Sequence, residues 1–362
     1  MTKYNGYSNP FSVCFTIMKI RYNEYDKSID CMNFVSPNDK INVFINLESV
    51  LNNLSMVKDI DSKLLLERNF PTILESEAIN LCAHYKKFFR GNGLETNVFL
   101  YYTDLSSNEF PNSNNDEYRS FYLNKYLNNP KFQLLGNKMV DVIIPRIQKI
   151  MEFIPNVYMI KSKNIEGSLI PLIIANEYSD HKNFIISTDR NDTQYQLINN
   201  FCMHYIKKSP FGAQIFNTFE KYICDLFKEQ EYSDELNLFK NNSFYSMLLA
   251  SSGDKIRSID PLKGIGPKSI IKYLMSGIEN GLITRETSSI DLISKVIPED
   301  QQEQSIENFN ELDISTEYQK LSQQSIFDIT NQIVDRSDYN SLIKLNQEHY
   351  ANFPLMLPEL TS

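Results

Sequence analysis

The run from Ser252 to Ser269 holds the residues best suited to chemistry. Gly264 and Gly266 flank a single apolar residue, Ile265, and so let the backbone approach a partner closely, while Pro267 suits the first position of a helix. A helix N-terminus presented in this way offers N–H groups and a positive dipole end to a phosphate. Lys268 and Lys272 stand four apart beside it, with Ser269 between them, while Ile270, Ile271 and Leu274 take the inward positions. Gly264, Ile265, Gly266, Lys268, Ser269 and Lys272 are therefore candidate contacts for one phosphate of a nucleic-acid backbone. A tight turn between packed helices is the structural alternative for the same residues.

Other chemistries find less support. Five cysteines (Cys14, Cys31, Cys82, Cys202, Cys224) are scattered, odd in number and never spaced Cys-x-x-Cys, which argues against a disulfide framework and against a zinc knuckle. The four histidines, His84, His181, His204 and His349, stand apart from one another. Lys and Arg number 36 against 45 Asp and Glu, a formal charge of −9 that opposes delocalised adhesion to nucleic acid or to an anionic membrane, so any nucleic-acid contact must be local. No apolar run approaches the ~18 residues of a membrane helix. Met1 to Pro10 lacks the pattern of a secretory signal, which sets the expectation of a cytoplasmic protein with no membrane partner.

The elements that would position the hairpin follow from periodicity. Asn42–Asn46 is a short β-rich run, and Glu48–Val57 has helical spacing. Helix-like Glu75–Arg90 precedes a strand at Asn97–Tyr102, Lys138–Phe153 precedes Val157–Ile160, and Glu166–Tyr178 precedes Asn183–Ser187. Such alternation predicts an α/β fold, a mostly parallel sheet flanked by helices. Leu105–Glu117, rich in Ser, Asn, Pro and Asp, reads as a loop. Past Asn200 the strand signal fades and the chain reads as helical through Asn280, broken near Gly253–Gly266. Val296–Tyr318 holds seven acids and no base and should be solvated, and Leu321–Leu345 regains weak helical spacing. The expected divisions are an extension at 1–40, an α/β core at 41–200, a helical subdomain at 201–285, and an acidic linker with a C-terminal helical segment at 286–362.

Gly253-Asp254 stands ten residues before Gly264, and with this spacing the chain resembles the flap endonuclease and 5′–3′ exonuclease superfamily, including phage-encoded 5′ nucleases. In that family a Gly-Asp-x-x-Asp motif opens a helix-three-turn-helix module whose Gly-Ile-Gly-x-Lys hairpin binds the duplex backbone, commonly with a potassium ion. Asp254, Gly264, Ile265, Gly266 and Lys268 match in register. Further likenesses run from Asn42 to Asn280. Ile185 to Gln194, with Asp189, Asp192 and Gln194, resembles the strand-end acidic motif, Ile165 to Ile170 resembles Glu-Ala-Asp-Asp, and Val43 to Leu47 occupies the first strand. The resemblance implies a PIN-like core, branched or nicked DNA and replication proteins as partners, and a viral role in DNA replication, repair or recombination. Tyr85 to Arg90, with Lys86, Lys87 and Arg90, takes the place of a basic helix. Arg119, Lys125 and Lys131, interleaved with Tyr118, Phe121, Tyr122 and Tyr126, take the place of an arch that threads single strands. For these basic groups an ordinary solvated face is the preferred reading.

Family enzymes gather many carboxylates to hold two divalent cations that activate water and stabilise the leaving oxygen. Here Asn46 stands where the first-strand Asp is expected, and Tyr102 or Thr103 stands for the second-strand Asp, with Asp104 as a possible substitute. Ser168 and Leu169 replace the Asp pair, Asn191 replaces a later acid and Arg257 the last. Glu166, Asp189 and Asp254 remain as candidate catalytic carboxylates. With Asp192 they are the candidate ligands of one Mg or Mn ion, and Glu48 is a neighbour. A neutral amide can ligate a metal but cannot offset its charge. The expectation is thus a nuclease-like DNA-binding protein that is catalytically impaired, a pseudo-enzyme. The alternatives are a working nuclease with a reduced site and a protein-interaction subunit that does not bind DNA.

Overall fold

In this computed structural model the described residues are 34–47, 70–103, 144–163, 165–187, 189–209, 212–216, 239–254, 259–284 and 286–334. The expected helix Glu48–Val57, the loop Leu105–Glu117, the arch-like basic residues and Arg257 lie outside them, as does the first part of the N-terminal extension. The α/β elements are β1 (Lys40–Asn46), α1 (Phe70–Gly91), β2 (Glu95–Thr103), α2 (Ile144–Met151), β3 (Val157–Ser162), α3 (Ile170–Glu177), β4 (Lys182–Ser187), β5 (Phe201–Ser209) and β6 (Gly212–Phe216). They build one six-stranded sheet in the order β3-β2-β1-β4-β5-β6. Every pairing is parallel except β5 with β6. The expected α/β class, a mostly parallel sheet flanked by helices, is what the chain adopts.

β1 lies at the centre, and all of Ile41 to Asn46 is buried, as a strand covered on both faces requires. Side chains two residues apart share a face, so β2, β1 and β4 carry three successive rows on one face: Asn97, Asn42 and Asn183, then Phe99, Phe44 and Ile185, then Tyr101, Asn46 and Ser187. Phe44 and Phe99 stack at 5.2 Å, and this face joins a core with Ile170, Ile173 and Ile174 of the α3 segment. On the other face Phe184 meets Tyr85 and Phe89 of α1 at 5.5 Å each.

Two expectations require correction. The chain past Asn200 is not helical at once, because β5 and β6 extend the sheet. Buried Phe201 and Met203 about half-exposed Cys202 make a two-residue period too short to stand out, and β4 supplies the backbone partners that decide it. Nor is Lys86 on a solvated face. It is buried, and its Nζ donates to the Pro155 carbonyl at 2.7 Å, tying α1 to the turn before β3.

The helical part comprises α4 (Asn242–Ser252), α5 (Pro267–Glu279), α6 (Ser289–Val296), α7 (Gln302–Leu312), α8 (Ile314–Gln319) and α9 (Gln323–Thr330). The Asn241 side chain caps α4 by accepting from the Phe244 N–H, and Phe244 through Ser251 are all buried, so α4 is the spine of a second core with Ile270, Leu274, Leu292, Ile293 and Phe309. The acidic segment is only half solvated. In α7 the acids Glu303, Glu307 and Glu311 recur every four residues on the exposed side, while Ser305, Asn308, Phe309 and Leu312 turn inward. No helix among the described residues is long and apolar enough to cross a membrane.

Candidate nucleic-acid interface and carboxylate site

In an open parallel sheet, ligands favour the carboxyl ends of strands where the strand order reverses. Here β1 has β2 on one side and β4 on the other, so the reversal falls at the ends of β1 and β4, at Asn46 and Ser187. The loop after β4 places Asp192 there. This carboxylate is wholly buried, and its Oδ2 accepts from the Ser187 hydroxyl at 2.5 Å, the Tyr101 hydroxyl at 3.3 Å and Asn46 Nδ2 at 3.5 Å. Burial, reinforced by the Asp192 charge, holds the Tyr101 phenol well above its usual range, so it stays protonated and donates. Tyr195 is shifted the same way, mainly by burial, and donates to the Ser168 carbonyl at 2.5 Å. The hydrogen bonds to Asp192 are charge-assisted, the kind that a buried anion needs.

The other candidate carboxylates are spread more widely. Asp189, half-buried, accepts the Asn191 N–H at 2.9 Å, an Asx-type turn that opens the 3-10 segment Asn191–Leu197. Its own N–H donates to Ser187 Oγ at 2.9 Å. Glu166, also half-buried, precedes the 3-10 turn Gly167–Leu169 and uses its carbonyl to accept the Leu169 N–H at 3.0 Å. That turn is pinned to the end of β2, because the Gly167 N–H donates to Thr103 Oγ1 at 3.1 Å and a Cβ at Gly167 would come within 2.7 Å of the same oxygen. The charges of Glu166 and Asp192 bear on Tyr195, and those of Asp189 and Asp192 bear on Tyr101. Asp254 belongs to the helical part, where it pairs with Ile259 through backbone bonds of 2.8 and 2.9 Å. Among the described residues no three His, Cys, Asp or Glu side chains gather as they would around a metal ion. With three donors on Asp192 Oδ2, a backbone N–H on Asp189 Oδ1 and Asp254 in the helical part, these residues do not fit a two-cation centre.

The hairpin has the expected form. Gly253 (φ +60) is obligatory, since a Cβ there would lie 2.5 Å from both the Ile259 carbonyl oxygen and the Pro261 nitrogen. Gly264 takes the left-handed turn (φ +72), Ile265 is buried, Gly266 caps α5 and Pro267 starts it. Lys268 and Lys272 are exposed, Ser269 is half-buried, and Ile270, Ile271 and Leu274 are buried, so the amphipathic reading of α5 holds. The potassium ion implied at this hairpin would need backbone carbonyls. Those of Leu262 and Gly266 already accept the N–H groups of Ile265, Ser269 and Ile270.

No family model matches the chain, and none of the curated proteins matches it. The solved structures to which it is similar include three from bacteriophage T5. A protein co-crystallised with metal ions is 12% identical with a TM-score of 0.45, and a flap endonuclease in a pseudo-enzyme–product complex with DNA and metal ions is 13% identical with a TM-score of 0.46. A 5′-exonuclease with bound zinc is 11% identical with a TM-score of 0.42, and each alignment covers 89% of this chain and 100% of the other. At these identities and scores nothing about activity or ligands passes from those proteins to this one.

A set of buried polar groups that the sequence does not announce joins the two parts of the molecule. Gln194 Nε2 donates to Asn191 Oδ1 and to the Leu312 carbonyl, both at 2.7 Å, and its Oε1 accepts from Ser246 Oγ and the Ile314 N–H, both at 3.4 Å. Ser246 also donates to Asp313 Oδ1 at 2.7 Å, and Thr193 shares a hydrogen bond with the Tyr245 hydroxyl. Asn308 Nδ2 bridges the carbonyls of Ala250 and Asp260, fastening α7 to the segment that leads into the hairpin. The segment that carries Asp189 and Asp192 therefore also holds the helical part in place. The nearest signal in the sequence is the Gln that closes the acidic motif.

Proposed function

We propose that this protein is a nuclease-like DNA-binding protein that recognises branched or nicked DNA and is catalytically impaired, with a role in viral DNA replication, repair or recombination. The observation that carries the impairment is at Asp192 Oδ2, which takes hydrogen bonds from the Ser187 and Tyr101 hydroxyls and the Asn46 amide where family enzymes aim carboxylates at cations. Asn46 and Ser187 keep the pocket filled but supply no negative charge, and two doubly charged ions need several anions to hold them. DNA recognition is supported by the hairpin. Gly264 and Gly266 leave its tip without side chains, and Lys268 and Lys272 stand exposed on the first turns of α5. With a formal charge of −9, the contact must be this local one.

The test is a labelled 5′-flap duplex and a nicked duplex incubated with Mg²⁺ or Mn²⁺. The expected result is binding that weakens as salt rises and falls again with Lys268→Glu, without cleavage. Turnover abolished by Asp189→Ala would overturn the impairment. It would favour a reduced site in which Glu166, Asp189 and Asp254 hold one ion, which anomalous scattering from Mn²⁺-soaked crystals counts directly. The net acidity favours one further reading, a protein-interaction subunit, and no DNA affinity even at low salt would select it.

A further inference from the structure

The hairpin is not held by its own residues alone. Gly264 and Gly266 give up more backbone freedom on being fixed than other residues would, so a turn built on them needs bonds from outside to keep one shape. The acidic segment supplies them. Just before α7 begins, Gln301 Nε2 donates to the carbonyl of Lys263, the residue that precedes Gly264, at 3.1 Å. Two turns further on, Asn308 Nδ2 donates to the Ala250 carbonyl at 2.8 Å and to the Asp260 carbonyl at 2.9 Å. The far end of α7 is fixed on the other side of the molecule. There the Leu312 carbonyl accepts from Gln194 Nε2 at 2.7 Å, the Ile314 N–H donates to Gln194 Oε1 at 3.4 Å, and Asp313 Oδ1 accepts from Ser246 at 2.7 Å. Eleven residues, about 16 Å of helix, therefore run from the segment that carries Asp192 and Gln194 to the base of the hairpin. Glu303, Glu307 and Glu311 take the outward side, where they repel a nucleic-acid backbone, so α7 has no place as a DNA contact.

We propose that Gln301 and Asn308 are positioning residues for DNA binding, and that α7 is a strut holding the turn at 263–266 in the shape that a backbone phosphate meets. The inference rests on the hairpin reading of DNA recognition and adds to it a dependence on a helix that never touches DNA. A turn that is ordered before contact loses less freedom on binding, so weakening the strut weakens the complex although every group facing the phosphate is kept. Because the other end of α7 is bonded to Gln194, the strut also sets the place of the hairpin relative to the carboxylate segment, and with it the register of a bound duplex.

The experiment compares the full chain with Gln301→Met, which keeps the length of the side chain and removes its donor at a half-buried position where little stability is at stake. Two readouts are taken: amide hydrogen exchange across 262–270 in the free protein, and affinity for a nicked duplex at several salt concentrations. Gln301→Met is expected to speed exchange at the Ile265 and Ser269 amides about fivefold and to weaken DNA binding by about the same factor, with a shallower salt dependence and an unchanged thermal melt. Gln304→Met, the same change three residues on, should alter none of these. Asn308→Leu should reproduce both losses with a lower melt, and where it does not fold Gln301→Met decides. Hairpin exchange indifferent to Gln301→Met would overturn the inference, as would faster exchange with DNA affinity and salt slope unchanged. Either failure leaves the DNA reading standing, because the wild-type chain still binds. A wild-type chain with no affinity at low salt sinks that reading, and this inference with it.

Discussion

Two polar rows cross the same face of the sheet, four residues apart on each of three strands, and they differ in charge. Toward the strand starts, Asn42 Nδ2 donates to Asn183 Oδ1 at 3.0 Å, and Asn42 Oδ1 accepts from Asn97 Nδ2 at 3.2 Å and meets His181 Nδ1 at 2.8 Å. Every group in that row is neutral, and the amides satisfy one another. About 13 Å further along, the positions Asn46, Tyr101 and Ser187 all turn toward the Asp192 carboxylate. Between the rows lies the apolar band of Phe44, Phe99 and Ile185. The first row is a structural ladder, since its donors and acceptors balance without a ligand. The second retains a buried carboxylate at the switch point of the sheet, with three donors on its Oδ2.

Substitution at the charged row should show the largest effect. Asp192→Ala leaves the hydroxyls of Ser187 and Tyr101 and the Asn46 amide facing a gap, and should cost about 4 kcal/mol in urea unfolding. Asp192→Asn sharpens the contrast, because it keeps the shape and removes the charge. A loss of about 1–2 kcal/mol is expected from the weakened hydrogen bonds. If the Asn variant is instead more stable, the carboxylate is held at a cost, and the row is a ligand site whose ligand is missing. At the neutral row, Asn42→Leu strands Asn97 Nδ2, Asn183 Oδ1 and the His181 ring together and should cost about 2–3 kcal/mol by the same measurement. A cost near zero would show that the ladder is dispensable and the comparison idle.

Much of this arrangement is legible in the sequence, and the exceptions share a cause. β1, β2 and β4 stand out because strands buried on both faces read as apolar runs, β3 because Val157–Ile160 is a short apolar run, and α5 because Ile270, Ile271 and Leu274 alternate with Lys268 and Lys272. The hairpin is legible because glycine is the residue that tolerates Gly253's close approach and Gly264's left-handed turn. β5 is not, since its identity depends on β4 lying beside it. Lys86 reads as a surface base until the turn at Pro155 offers its carbonyl. At the site, the neutral side chains of Asn46 and Ser168 can be read in the sequence, but what they face cannot. That Asp192 rather than Asp189 is the enclosed anion depends on which way the chain turns after Ser187, and the Asn191 N–H bond to Asp189 decides it. Tyr101 likewise passes for an ordinary core aromatic until its hydroxyl is placed.

Smaller changes separate the rows more finely. Tyr101→Phe removes one donor to Asp192 while leaving Ser187 and Asn46 in place, and should cost about 1 kcal/mol in unfolding free energy. An effect as large as that of Asp192→Ala would mean that the phenol alone holds the anion.

The smallest expected effect is a pH dependence confined to the neutral row. Burial holds the His181 imidazole below its ordinary value, opposed by the nearby Asp180 charge and assisted by that of Lys40. Because the folded state disfavours the protonated ring, the unfolded chain binds more protons near its own pKa. The stability from neutral His181 is thus complete above the ordinary histidine range and is lost as pH falls through the lowered value. Thermal melts should therefore drop on acidification from neutral pH, and His181→Gln should flatten that part of the profile while Asp192→Asn leaves it in place. If Asp192→Asn flattens it instead, acid sensitivity belongs to the buried carboxylate, and the neutral ladder plays no part in it.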